Sequence, residues 1–143
     1  MKTTQWKIFL VDDDTFNLQL TRHHLESVGY TDVQTFVSGT DCLNRLTERP
    51  AVVFLDHRLE DVTGFDVLKK IKRFDPNIHV VMLSGQESIE TAIASMRHGA
   101  FDYIVKGAQA FDQLNSVLHR LRRLQDLLDS QRPSLWRRIA SFL

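Results

Sequence analysis

The sequence predicts an α/β fold: a doubly wound, five-stranded parallel sheet in the order 2-1-3-4-5, with five flanking helices and a C-terminal helical extension. Three observations predict it. Five short apolar runs recur along the chain, and most of them are rich in Val, Ile and Phe. Amphipathic patterns of helical length separate them. The runs read as strands buried on both faces, which is how parallel strands read when helices cover the sheet.

The strands are "KIFLV" (7–11), "DVQTF" (32–36), "AVVFL" (51–55), "HVVML" (79–83) and "DYIVK" (102–106). The first helix, "DTFNLQLTRHHLESVG", carries Phe16, Leu20, His24 and Val28 at helical spacing and stops at Gly29; Asp14 is placed to cap it. "SGTDCLNRLTERP" starts at Ser38 and ends before Pro50. "TGFDVLKKIKRFDP" puts Phe65, Leu68, Ile71 and Lys72 on one stripe and ends before Pro76. "ESIETAIASMRHGA" repeats Ile89, Ala92, Ile93 and Met96 and ends at Gly99. The fifth helix, "QAFDQLNSVLHRLRRLQDLLDSQR", is the longest. Right-handed crossovers leave few topologies for this order, and five strands fit 2-1-3-4-5 better than a six-stranded dinucleotide-binding sheet.

Composition narrows the function classes. The chain has 143 residues and 43% hydrophobic content, enough for one domain with a packed core. Its 18 basic and 18 acidic residues cancel, so no global field draws it to nucleic acid or to acidic partners, and no direct nucleic-acid contact is expected. The single cysteine, Cys42, has no partner within the chain; it reads as a small core residue in a reducing, cytoplasmic setting. The N-terminus lacks signal-peptide features, and no apolar stretch is long enough to span a membrane. The six histidines show no metal-ligand spacing and read as structural or surface residues; His57 adjoins Asp56 but points to the opposite face of a strand.

The chemistry lies at the strand ends. The first strand ends in "VDDD" (Asp12 to Asp14), the third in Asp56, the fourth in "LSG" with Ser84, and the fifth in "VKG" with Lys106. In the 2-1-3-4-5 order these strands are neighbours, and ligands bind outside their carboxyl ends. Crowded carboxylates repel one another and call for a cation. An oxygen-rich, solvent-open set suits Mg²⁺. With Mg²⁺ and Lys106 present, a phosphoryl group is the natural anion, and Asp56 can act as the nucleophile that accepts it.

The motifs "LVDDD", "VFLDHRL…TG", "VMLSG" and "DYIVKG" resemble those of the receiver domain of two-component response regulators, the flavodoxin-like fold of CheY-type proteins, over roughly residues 5–128. The resemblance implies that Asp56 is the phosphoacceptor and that Asp12 and Asp13 are the acidic pair. Asp13 would bind Mg²⁺ directly, Asp12 mostly through water, and the backbone carbonyl of Arg58 would complete the shell. Ser84 resembles the switch hydroxyl, Tyr103 the switch aromatic and Lys106 the phosphate-binding lysine. The implied donor is a sensor histidine kinase or phosphotransfer protein. The implied output is altered dimerisation or partner docking through the fourth helix, fifth strand and fifth helix.

Three departures from the family pattern stand out. Glu60 replaces the proline four residues past the acceptor, so a looser loop is expected, with Glu60 and Asp61 adding negative charge near the site. Gly107 replaces the proline after the lysine, so a trans bond is expected there. The resemblance implies that Arg58 and Gln86 occupy the two positions that tune water access to the phosphoryl group, and Arg58 is expected to cover that group and slow hydrolysis. Two rival functions stay open on the sequence: a non-phosphorylated receiver-like scaffold and a small Mg²⁺ phosphohydrolase. No second acid is evident to protonate a leaving group for the latter.

The chain is read as a receiver domain over 1–128, with 129–143 a helical extension or the start of a missing output region. Leu114, Val117, Leu121, Leu124 and Leu128 form a heptad seam that could pack on the same domain or on a partner helix. After "RP" (132–133), Ser134 can cap a second short helix carrying Leu135, Trp136, Ile139 and Leu143.

Overall fold

The structure, a computed structural model, describes residues 5–85 and 88–141, with backbone alone for 132–141. The expected alternation is present: β1 (Lys7–Val11), α1 (Thr15–Ser27), β2 (Asp32–Phe36), α2 (Gly39–Asn44), β3 (Val52–Asp56), α3 (Gly64–Phe74), β4 (His79–Ser84), α4 (Ile89–Arg97), β5 (Asp102–Val105) and α5 (Ala110–Ser141). All four strand pairings are parallel, and the order is β2-β1-β3-β4-β5. The sheet and first four helices form one compact unit, and α5 from Asp112 onward forms a second.

Alternation along the strands divides the apolar residues between two faces. Phe9, Val11, Val53, Leu55, Val80 and Met82 join Val67, Leu68 and Ile71 of α3 and Cys42 of α2 in one buried cluster. Burial there pushes the Cys42 thiol up to about 12, so it stays protonated. Leu10, Phe54 and Leu83 line the opposite face beside Leu18 of α1.

Helix signals from the sequence hold at the caps. Asp14 accepts from the amides of Phe16 and Asn17, Ser38 from Asp41, and Thr63 from Asp66. The second helix is shorter than the expected 38–49 span: α2 stops at Asn44, a 3₁₀ turn follows at Leu46–Glu48, and Arg49 takes a left-handed conformation before Pro50. The break expected at Pro133 is absent from the backbone: α5 is continuous to Ser141 and Ser134 lies inside it, between flanks rich in helix-forming residues. The side chains of the final stripe lie outside the described residues. Along α5, Leu114, Val117 and Leu121 are buried, whereas Leu127 and Leu128 are exposed.

Two apolar stripes face the opposite way from the one periodicity suggests. In α1, Phe16, Leu20 and Val28 are exposed, and Leu18 and Leu25 are buried. In α4, Ile89 (78% exposed), Ile93 and Met96 face solvent, and the buried residue is Ser95, whose hydroxyl donates to the Thr91 carbonyl at 2.9 Å. A helix can approach a sheet closely through small residues, and α4 does so, leaving its large side chains outside. In α3 the reverse holds: Val67, Leu68 and Ile71 are fully buried.

Candidate functional site

Register builds the site. Val11 pairs with Leu55, so Asp12 and Asp56 are the next residues on adjacent strands. Asp56 pairs with Leu83, and Ser84 pairs with Val105, so Ser84 and Lys106 follow at the same edge. The backbone continues the pattern beyond the strands: His57 donates to the Leu83 carbonyl at 2.9 Å, and Lys106 to that of Ser84 at 2.7 Å.

Asp12, Asp56 and Ser84 are buried, and Asp13 is exposed. Carboxylate oxygens of Asp12, Asp13 and Asp56 lie within 4.8 Å of one another. The Lys106 ammonium donates to Asp12 Oδ2 at 2.8 Å and to Asp56 Oδ2 at 3.0 Å. Strands lie about 4.8 Å apart, so it takes a long side chain rooted just past β5 to reach beyond β4 to both acids. Asp56 Oδ1 accepts the Arg58 amide at 3.2 Å, and Asp12 Oδ1 accepts the Asp14 amide at 2.9 Å.

The electrostatics follow from this burial. Desolvation pushes the Asp56 carboxyl up to about 6; hydrogen bonding and attraction from Lys106 oppose the rise, and the Asp12 charge adds to it. Lys106 loses hydration as well, but its bonds to the two acids win and hold it above the ordinary lysine value. The site is a buried carboxylate with raised proton affinity beside a lysine that stays cationic. Three carboxylates converging at a partly open edge are a hard-oxygen donor set, which fits Mg²⁺.

Tyr103 is half-buried and packs against the main core cluster. The Arg58 side chain is exposed. The Lys106–Gly107 bond is trans, since no cis bond occurs among the described residues. Gln86 lies outside the described residues. His57 packs edge-on against Phe65 at 4.6 Å; burial, then the Arg58 charge, lowers its pKa and favours the neutral ring.

The loop after Asp56 is not loose. Gly64 donates to the His57 carbonyl at 3.0 Å, and a Cβ at Gly64 would lie 2.5 Å from the Asp56 carbonyl oxygen, so only glycine closes the loop there. Asp61 is bound to the start of α2, where its carboxylate accepts from neutral amide and hydroxyl donors. Sequence reasoning missed this role, because the partners are more than 20 residues away in the chain.

Comparison with known proteins agrees with this geometry. Residues 8–119 match the response regulator receiver domain family. The chain belongs to that family. It is 32% identical over 126 residues to the luminescence regulatory protein LuxO of Vibrio campbellii, covering 85% of this chain and 27% of that protein. The chain therefore spans just over a quarter of that relative's length. Among solved structures, a response regulator receiver domain protein from Clostridium thermocellum superposes with a TM-score of 0.78 at 31% identity, covering 86% of this chain and 98% of that one. The BeF3-activated receiver domain of DrrB, a Thermotoga maritima protein, gives 0.72 at 32% identity, covering 85% and 97%. The chain is thus a receiver domain of two-component signalling, with the five-stranded fold of CheY-like proteins. Among the described residues no helix is long and apolar enough to cross a membrane.

Proposed function

We propose that the protein is a cytoplasmic phosphorylation switch that accepts a phosphoryl group on Asp56 from a phosphohistidine of a sensor kinase or phosphotransfer protein. The single observation that carries this reading is the buried Asp56 carboxylate held between Lys106 and the Arg58 amide at the carboxyl edge of the sheet. An Asp56 oxygen attacks phosphorus, the P–O bond forms as the P–N bond breaks, and the imidazole nitrogen recovers its electron pair. Lys106 compensates the charge on the incoming phosphoryl oxygens, and Ser84 offers a hydroxyl from the neighbouring strand. Asp13 directly, Asp12 through water, Asp56 and the Arg58 carbonyl would hold Mg²⁺, which when bound supplies further neutralisation of the phosphoryl oxygens. As Ser84 shifts toward the phosphoryl group, Tyr103 follows into the space vacated and repacks the neighbouring surface.

The surface suited to read that change is α4. Its outward Ile89, Ile93 and Met96 are flanked by Glu90 and Arg97, seven residues apart. Two copies pairing α4 antiparallel would set each Glu90 against the partner copy's arginine around a centre at Ile93, a self-complementary arrangement suited to a homodimer. Residues 1–128 are the switch in this reading, and 129–143 extend it toward a partner or an output region.

The test is incubation with acetyl phosphate and Mg²⁺, read by intact mass, with size measured with and without beryllofluoride. Wild type should gain one phosphoryl mass and Asp56→Ala none. No gain by wild type, or equal labelling of Asp56→Ala, would overturn the reading and leave an interaction scaffold. Many turnovers on small phosphate esters would instead make it a phosphohydrolase.

A further inference from the structure

Asp61 accepts three hydrogen bonds from the start of α2: the Gly39 amide on Oδ1 at 3.1 Å, and the Thr40 amide and hydroxyl on Oδ2 at 2.9 and 2.7 Å. These bonds hold its carboxyl down to about 2, so it is ionised at every working pH. The contact is tight as well as polar. A Cβ at Gly39 would lie 2.6 Å from Val62 Cγ2 and 2.7 Å from Val67 Cγ2, so β-substituted residues are excluded where the loop crosses α2. Leu59 and Val62 pack against the core cluster on either side of Asp61. The loop from His57 to Thr63 is therefore pinched at its base by Gly64 and pinned at its apex by Asp61. Its first turn carries the Arg58 amide that touches Asp56.

The family's usual proline would stiffen this loop by restricting its backbone; here Glu60 stands in that place and supplies no such restriction. We infer that Asp61 is a positioning residue for phosphoryl transfer: its staple to Gly39 and Thr40 replaces the missing proline and sets the Arg58 backbone against Asp56. This deepens the proposed phosphoacceptor function and rests on it. The staple also gives the β2–α2 segment a mechanical hold on the reactive edge. A ligand or partner that draws Thr40 away from Asp61 would slow phosphorylation without touching the site.

The experiment compares wild type, Asp61→Ala, Thr40→Val, the double variant, and Asp61→Ala combined with Glu60→Pro. Each is followed for the rate of phosphorylation by acetyl phosphate against Mg²⁺ concentration, and for hydrogen exchange at the Arg58 amide without metal. Asp61→Ala should phosphorylate about tenfold more slowly, with weaker apparent Mg²⁺ affinity and faster Arg58 exchange. Thr40→Val should lose part of the same effect and add little in the double variant, because both remove one interaction. Glu60→Pro should restore most of the rate to Asp61→Ala. Equal rates, Mg²⁺ dependence and exchange in folded Asp61→Ala and wild type overturn the inference and leave the phosphoacceptor reading standing. A slowed Asp61→Ala that Glu60→Pro does not rescue also overturns it, since loss would then not come from loop freedom. A wild type that gains no phosphoryl group overturns both.

Discussion

At the amino end of the sheet, Lys7 pairs with Asp32 and Glu48 at 3.8 and 3.2 Å; at the carboxyl end, Lys106 pairs with Asp12 and Asp56 at 2.8 and 3.0 Å. Both ends thus hold one lysine between two acids. The amino-end acids have side chains 42% and 29% exposed, against 6% and 8% for Asp12 and Asp56. At the amino end water screens the charges, Arg45 also pairs with Glu48, and the arrangement contributes little beyond solubility and local order. At the carboxyl end two carboxylates are stripped of water for the sake of one ammonium, so negative charge is in excess where hydration is least. The same residue types fasten one end and make the other reactive.

The largest expected effect tests that asymmetry directly. Raising the Asp56 carboxyl from 3.8 to about 6 corresponds to on the order of 2–3 kcal/mol of stability lost at neutral pH in the metal-free protein. Asp56→Asn keeps the shape and removes the charge, and should raise stability by up to that amount in urea unfolding while abolishing phosphoryl acceptance. An Asn variant less stable than wild type would show that the Lys106 bridge outweighs desolvation.

A pH series sharpens the same point. Asp56 binds its proton at about 6 when folded and near 3.8 when unfolded, so between those values the folded state holds more protons. Its contribution is therefore most favourable at the acid side of the window and is lost as pH rises through about 6. In EDTA, the urea midpoint attributable to this residue should rise from pH 7 to pH 5 in wild type relative to Asp56→Asn. Asp61 works with the opposite sign, its staple failing only as pH falls below 4 toward 2, so the two are separable. A wild-type midpoint that moves in parallel with Asp56→Asn would contradict the assignment.

The smallest effect is expected at the other end. Lys7→Ala should change stability by about 1 kcal/mol or less, and less still at high salt. A loss of several kcal/mol would mean that the amino-end network is as tightly coupled as the carboxyl-end one.

The reactive edge was legible because it obeys a one-dimensional rule. Asp12, Asp13, Asp56, Ser84 and Lys106 each sit at or just past the end of an apolar run, and parallel strands in register align their ends. The orientation of α1 and α4 was not legible. Periodicity identifies an apolar stripe at Phe16 and Leu20, or at Ile89, Ile93 and Met96, but not whether that stripe meets the sheet. The contact made by Asp61 was invisible for a different reason, since an acid in a loop looks the same whether water or α2 solvates it.

The sequence by itself determined the alternation of strands and helices, the parallel sheet and the identity of the residues at its carboxyl edge, because hydrophobic periodicity and strand-end position are local properties. Only the tertiary structure decided which faces of α1 and α4 are open, that α5 runs through Pro133, and that Asp61 locks the loop beside Asp56. The faces of α1 and α4 and the Asp61 contact depend on close approach between segments distant in the chain. Packing and hydrogen-bond geometry, not composition, select among the arrangements that the same pattern allows.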